Sequence, residues 1–316
     1  MSAVDSVRAA SPPRGFGSTT RIERARRTEL LFVGTAMIVT GIGVAVLIAL
    51  IAGLAYDGWT RLTPEFFVNF PSRRAGQAGI LSAWVGSLLV VLVCAAVSVP
   101  VGVAAGIYLE EYAGKNWFTA LIEINVNNLA GVPSIVYGLL ALGLFVYGFG
   151  LGQSVATAGL TLALLILPIV IVATRESVRA VPYAIREAAY GVGATKWQVT
   201  QHHVLPYASP GIATGVIIGL SRALGETAPL VMIGALSFIA FLPAAPIKGE
   251  FPFVSFQWLF DPFTVMPIQM FNWVSRPDPA FQANAAAAGL VLLVMTLALN
   301  GFAIWFRIRM RRKIKW

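Results

Sequence analysis

Glu187-Ala-Ala-Tyr-Gly-Val-Gly-Ala-Thr-Lys-Trp-Gln-Val-Thr-Gln-His-His-Val-Leu-Pro206 is a polar stretch set between two long apolar runs. Pro182 ends the regular structure before it, and Tyr183 to Tyr190 is long enough for about two turns of helix. Gly191 and Gly193 then permit a sharp turn with positive φ. Thr195 and Gln198 have the spacing of a capping box, which predicts a second short helix from Lys196 to Pro206. The expected product is a compact helix-turn-helix outside the bilayer, a knob able to pass displacement to the spans on either side. On helix pattern alone, a plain hairpin joining two spans is the simpler account.

Moving outward, the chain has 316 residues, 57% of them hydrophobic and only 12% charged, with a mean hydropathy of +0.77. That composition belongs to a polytopic membrane protein rather than a soluble domain. A hydrocarbon core of roughly 30 Å needs about 20 residues of helix. Six apolar runs meet that length: Leu30–Tyr56, Ile80–Tyr108, Phe118–Phe149, Gln153–Glu176, Tyr207–Ala240 and Ala283–Phe306. The fold class is therefore all-α. The third and fifth runs are too long for straight perpendicular rods and should contain a tilt, a break or an elbow. Pro100, Pro133, Pro168 and Pro229 lie within spans, where each frees a carbonyl that a neighbour or a wet cavity must satisfy. The glycines from Gly148 to Gly152 and from Gly211 to Gly219 suit close helix packing.

The net charge of +9 is explained by where the basic residues fall. Arg8, Arg14, Arg21, Arg24, Arg26 and Arg27, then Lys115, then Arg175, Arg179, Arg186 and Lys196, then six residues of the carboxyl tail, make 17 on one side of the membrane. Arg61, Arg73, Arg74, Lys248 and Arg276 make five on the other. The bias puts both termini and the 187–206 stretch in the cytoplasm, and the terminal basic run faces lipid headgroups rather than nucleic acid. Residues 1–28 read as a disordered basic tail, 29–308 as the membrane domain with a cytoplasmic segment at 183–206, and 309–316 as a second basic tail. The long connection 241–282 alternates prolines with Phe251, Phe253, Phe256, Trp258, Phe260, Phe263, Phe271 and Trp273. It is expected at the outer interface, with its rings anchored in lipid.

Apart from Arg175 at the very end of the fourth run, Arg222 is the one basic residue inside a span, with Glu226 one turn later. If Ser209-Pro210 supplies the N-cap and first turn of the fifth helix, Arg222 lies roughly 18 Å along it, near the bilayer centre. A lipid-exposed guanidinium there costs at least about 2.5–3.5 kcal/mol, so it must face protein or water. A structural ion pair would do that. The alternative is an anion pathway, because the planar fork of arginine suits oxyanions, with Glu226 orienting it and Ser221 and Thr227 beside it. Glu123, Asn125, Asn127 and Asn128 make the third run polar at its start, which interhelical hydrogen bonding explains.

Several chemistries are excluded. Cys94 is alone, so there is no disulfide or thiolate metal site. His202 and His203 are adjacent and cannot act as an i, i+4 metal pair. Gly191-Val-Gly-Ala-Thr-Lys196 lacks the Gly-Lys-Ser/Thr ending and the preceding strand of a phosphate loop, so the chain itself cannot hydrolyse ATP. No nucleophile-base-orienter set is present.

Glu187-Ala188-Ala189, Gly193 and Leu205-Pro206 resemble the EAA signature of importer-type ABC permeases, with His203 standing where an aliphatic residue is common. Gly131-Val-Pro-Ser134, Ser221 to Pro229 and Pro267 to Trp273 are similar to the phosphate-importer branch of that family. The resemblance implies a type I importer permease fold. It implies that 183–206 docks on a cytoplasmic ATPase dimer carrying ATP and magnesium, with no cofactor in this chain. It also implies a second, related permease chain and an extracytoplasmic phosphate-binding protein. Permeases for sulfate or molybdate remain open as alternatives, as does an anion channel or secondary transporter, which would need no ATP.

Overall fold

The computed structural model describes residues 19–114, 116–246 and 255–311, with side chains between 26 and 309. The chain divides into two units, residues 1–53 and 54–316. The described part of the first is the body of one helix, α1 (Thr19–Gly58). Its start at Thr19 places the last ten residues of the tail read as disordered within a helix; residues 1–18 lie outside the described residues.

The second unit opens with a short α2 (Pro64–Val68), then α3 (Leu81–Ile107), which ends in a π-helical turn, Tyr108–Tyr112. α4 (Trp117–Leu129) and α5 (Ser134–Ala141) follow, separated by Gly131 and Pro133 and bent by 107°. A second π-helical stretch, Leu142–Gly148, extends α5. α6 (Val155–Arg179) is the most enclosed helix and carries Pro168 inside it. α7 (Tyr183–Gly191) and α8 (Lys196–Val199) form the polar knob. A third π turn, Thr200–Val204, runs without interruption into α9 (Leu205–Gly225). α10 (Ala228–Met232), α11 (Met266–Val274) and α12 (Ala280–Arg311) complete the order. Among the described residues, five helices are long and apolar enough to cross a membrane, and the bent α4–α5 pair makes the sixth crossing. The protein is a multi-pass membrane protein.

Glycines set the helix packing. On α3, Gly102 and Gly106 are spaced four apart against α6, where a Cβ would stand 2.8 Å from Val170 and 2.6 Å from Thr174. On α9, Gly211 and Gly215 do the same against Ser177 and Ala173 of α6, and Gly219 makes an ordinary contact with Ile166. Missing side chains let backbones approach closely where lipid offers no hydrophobic drive for association.

Contacts fix the relative direction of α3 and α6. Glu110 at the end of α3 meets Arg179 at the end of α6. At the other ends, the Met266 amide donates to Ser87 of α3 and the Val155 amide of α6 donates to the Asp261 carbonyl. α3 and α6 therefore run the same way, and the intervening 117–148 must cross once despite its bend.

The fifth run is also interrupted, as its length implied. α9 stops at Gly225, and Glu226–Thr227 breaks the helix before α10. The chain then ascends as irregular backbone, with the Ile239 carbonyl accepting from Ser82 in the first turn of α3. The expected helix start at Ser209-Pro210 is not observed: Pro210 lies inside α9, and the helix is continuous from Lys196. The preceding π turn precedes Pro206 at the first turn of α9, and the Ser209 hydroxyl donates back to the Pro206 carbonyl rather than capping a new helix.

The 241–282 connection divides its aromatics. Phe256, Phe260 and Phe271 are exposed, in keeping with lipid anchoring, whereas Trp258, Phe263 and Trp273 are buried in the protein. Phe251 and Phe253 lie outside the described residues. α11 turns Trp273 inward, against Phe66 of α2. Arg61, read only as a loop charge, ties this end together by donating to Asn284 of α12 at 2.6 Å and to the carbonyls of Ala75, Gly76 and Ala78.

Candidate functional site

The two interrupted spans meet. Gly138 of α5 packs so closely on α10 that a Cβ would stand 2.7 Å from the Pro229 backbone. Tyr137, beside it, donates its hydroxyl to the Leu129 carbonyl at 2.8 Å, bridging the α4–α5 break. The register of α9 on α6 gives the height: Gly219 packs on Ile166 and Val170, near the middle of α6, and Arg222 is one turn further along. The mid-height expected for Arg222 is thus reached, although its helix begins earlier than expected.

At this height Arg222 donates from Nε to Glu226 Oε1 at 3.1 Å. The Arg222 side chain is 47% exposed and that of Glu226 only 16%. Among the described residues no other group bonds the two terminal nitrogens of the guanidinium. The carboxylate holds one edge, and the fork that could grip two oxygens of an oxyanion is left open. Broken helices are tolerated at membrane depth where they are buried or line a cavity, and such breaks are where charged cargo is commonly held. Thr227 forms the break itself, its carbonyl accepting from the amides of Leu230 and Val231. Ser221 does not join this group. Its hydroxyl bonds to Asn300, which couples α9 to α12 instead.

The second constellation is the knob. Thr195 and Gln198 make the expected capping box, with Gln198 Oε1 accepting from the Thr195 amide at 2.8 Å. Gly193 takes φ +87°, while Gly191 stays helical as the last residue of α7, so one left-handed residue makes the turn. Glu187 and Ala188 are exposed, as are Tyr183, Tyr190, Val192 and Trp197. Ala189 is buried with Val178, Val181, Val199, Val204 and Ala208, and Leu205 and Pro206 are half-buried at the start of α9. His203 is exposed, where a polar ring is solvated without cost. One face of the knob is thus fixed to the bundle and the other is presented outward.

Sequence reading missed what fixes it. Arg186 donates to Glu111 from Nε and Nη2 at 3.1 and 2.8 Å, to the Val181 carbonyl at 2.6 Å and to the Val178 carbonyl at 2.9 Å. Arg179 grips Glu110 with two parallel bonds of 3.0 and 2.8 Å, and Arg175 meets Glu123 of α4 at 2.7 Å. A polar cavity of about 370 Å³ lies among Glu110, Glu123, Arg175 and Arg179. The available signal was the acidic pair ending one span opposite the arginines ending another; those arginines entered the reading only as a topology count.

The family described as "Binding-protein-dependent transport system inner membrane component" matches residues 98–312, which takes in the knob, Arg222 and α12. The chain belongs to that family. Among its relatives, the "Phosphate transport system permease protein PstA" of Mycobacterium leprae is 31% identical over 262 residues, 82% of this chain and 78% of that protein. The protein of the same name from Haemophilus influenzae is 34% identical over 279 residues, 87% and 92% of the two chains. The "Probable ABC transporter permease protein YqgI" of Bacillus subtilis is 27% identical over 292 residues, 91% and 97%. Among solved structures, a bacterial ABC transporter involved in alginate import superposes with a TM-score of 0.58 at 14% identity, covering 92% of this chain and 98% of that one. An inward-facing MetNI methionine ABC transporter gives 0.52 at 15% identity, covering 71% and 93%. The fold of this inner membrane component is that of ABC importer permeases.

Proposed function

We propose that this chain is a permease subunit of an ATP-driven importer of inorganic phosphate. The observation that carries the reading is the open guanidinium fork of Arg222, held at mid-height where two interrupted spans meet. Phosphate is supported by the names of the relatives over most of the chain's length, and anion handling by the site itself. ATP hydrolysis belongs to a separate pair of subunits docking on the outward face of the knob, at Glu187 and Ala188 with Tyr190, Val192 and Trp197 around them. A second, related permease chain completes the pathway, and an extracytoplasmic phosphate-binding protein delivers the cargo. Both termini and the knob face the cytoplasm, as the 17-to-5 distribution of basic residues favours. In the cycle, ATP binding draws the two knobs together and opens the far side; hydrolysis resets it.

The test is uptake of radiolabelled phosphate into proteoliposomes holding the assembled complex and the loaded binding protein. Uptake that needs internal ATP and is not displaced by excess sulfate or molybdate is the expected result. Uptake without ATP would identify a channel or secondary carrier, and displacement by sulfate would identify a different oxyanion.

A further inference from the structure

The π-helical turn at the end of α3 places three consecutive side chains on three different elements of the knob's base. Glu110 binds Arg179 of α6. Glu111 binds Arg186 of α7. Tyr112 lies under the Lys196 ammonium of α8, 5.0 Å from ring centre to nitrogen, and its hydroxyl is 3.4 Å from that of Thr200. An α-helical turn would rotate successive residues by a fixed 100°; the wider turn, closed by the Ala113 amide on the Tyr108 carbonyl at 2.8 Å, changes that splay. Single π turns of this kind are frequent at functional sites.

Resting on the importer reading above, we propose that this turn receives the motion of the knob, and that Glu111 and Arg186 are the positioning pair through which the knob drives α3. Arg186 immediately precedes Glu187 on α7, so any displacement of the docking face reaches it within one residue. Its side chain and that of Glu111 are 10% and 8% exposed, and its four hydrogen bonds reach α6, the α6–α7 link and α3 together. A contact this saturated has no slack: α7 cannot shift without shifting the end of α3 or breaking the pair. α3 in turn lies against α6 through Gly102 and Gly106, so the stroke enters the packed bundle directly.

The experiment measures phosphate imported per ATP hydrolysed in proteoliposomes of the whole complex, together with the amount of ATPase subunit retained on purification. Glu111→Gln removes the charge at nearly constant volume and should lower the import-to-hydrolysis ratio at least tenfold with ATPase retention unchanged. Arg186→Lys keeps a positive charge beside Glu111 and should give an intermediate ratio. A wild-type ratio in assembled Glu111→Gln would overturn the proposal. So would loss of import in strict proportion to loss of ATPase retention, which is what a purely structural pair gives. If Glu111→Gln does not assemble, Arg186→Lys decides: an intermediate ratio supports the strut and an unchanged one overturns it. Failure of the wild-type complex to import phosphate with ATP would remove the importer reading instead, so the two failures are distinct.

Discussion

Arg222–Glu226 and Arg186–Glu111 are both arginine–carboxylate contacts of about 3 Å, and their surroundings differ in every other respect. The first joins residues four apart on one stretch of chain, spends a single guanidinium nitrogen and leaves the arginine half exposed. The second joins residues 75 apart, uses all three nitrogens and is almost fully enclosed. An arginine that must meet a passing anion needs donors to spare and access to water. An arginine that must carry force needs neither, and gains from having every donor committed. The same side chain is thus built as a receptor at one place and as a strut at another.

The largest expected difference between the two is in stability. Arg186→Leu strands a buried carboxylate and two backbone carbonyls, and breaking an enclosed pair in this way costs on the order of 3–5 kcal/mol. Arg222→Leu loses a single hydrogen bond from a half-exposed arginine, a smaller cost than breaking a fully enclosed pair. Thermal unfolding of the two purified variants should therefore show a large fall in Tm for Arg186→Leu and a clearly smaller one for Arg222→Leu. Equal shifts would erase the distinction between strut and receptor.

Function should rank the other way once the complex is assembled. Arg222→Gln is expected to abolish phosphate uptake, and Arg222→Lys, which keeps the charge but loses the fork, to lower it by ten- to a hundredfold. The double change Arg222→Leu with Glu226→Leu sharpens the result, because replacing both members of an ion pair by apolar residues is often tolerated when the pair is only structural. Near-normal uptake by the double variant, normalised to assembled complex, would reduce Arg222 to a brace.

How much of this was legible in the sequence follows from the range of the interactions involved. The six crossings, the capping box at Thr195 and the Arg222–Glu226 pair rest on contacts within four residues or on run length, and those were readable. Interruption of the third and fifth crossings was readable as excess length, but its place was not, since Pro100 and Pro168, which stand in spans just as Pro133 and Pro229 do, lie inside continuous helices. That the two interruptions meet was not readable either, since it depends on Gly138 of one segment accepting Pro229 of another. The start of α9 was misplaced because Ser209-Pro210 has good local cap chemistry, and a π turn that carries the helix in from Lys196 leaves no sequence mark. For Glu111–Arg186 the two charge clusters were readable but their pairing was not, because it joins elements far apart in the chain. Ser221 was read as a pathway residue from its place beside Arg222 in the sequence, and its bond to Asn300 of α12 is a long-range contact that such proximity does not show.

The smallest effect separates two glycines of the knob that look alike in the sequence. Neither Gly191 nor Gly193 has any atom within 4 Å of where a Cβ would stand, so space does not distinguish them. Backbone does: Gly193 sits at φ +87°, and Gly191 ends α7 in the helical region. An alanine at 193 must adopt a left-handed conformation, at a cost of about 1–2 kcal/mol. An alanine at 191 trades glycine's conformational freedom for helix propensity and should be neutral or stabilising by up to about 1 kcal/mol. Because the turn sets the angle between α7 and α8, Gly193→Ala should also weaken retention of the ATPase subunit, while Gly191→Ala should not. Paired melting curves and pull-downs of the two variants measure this. If Gly193→Ala melts and docks like Gly191→Ala, the left-handed turn does not set the shape of the knob, and the rigid linkage from its outward face through Arg186 to α3 loses its first joint.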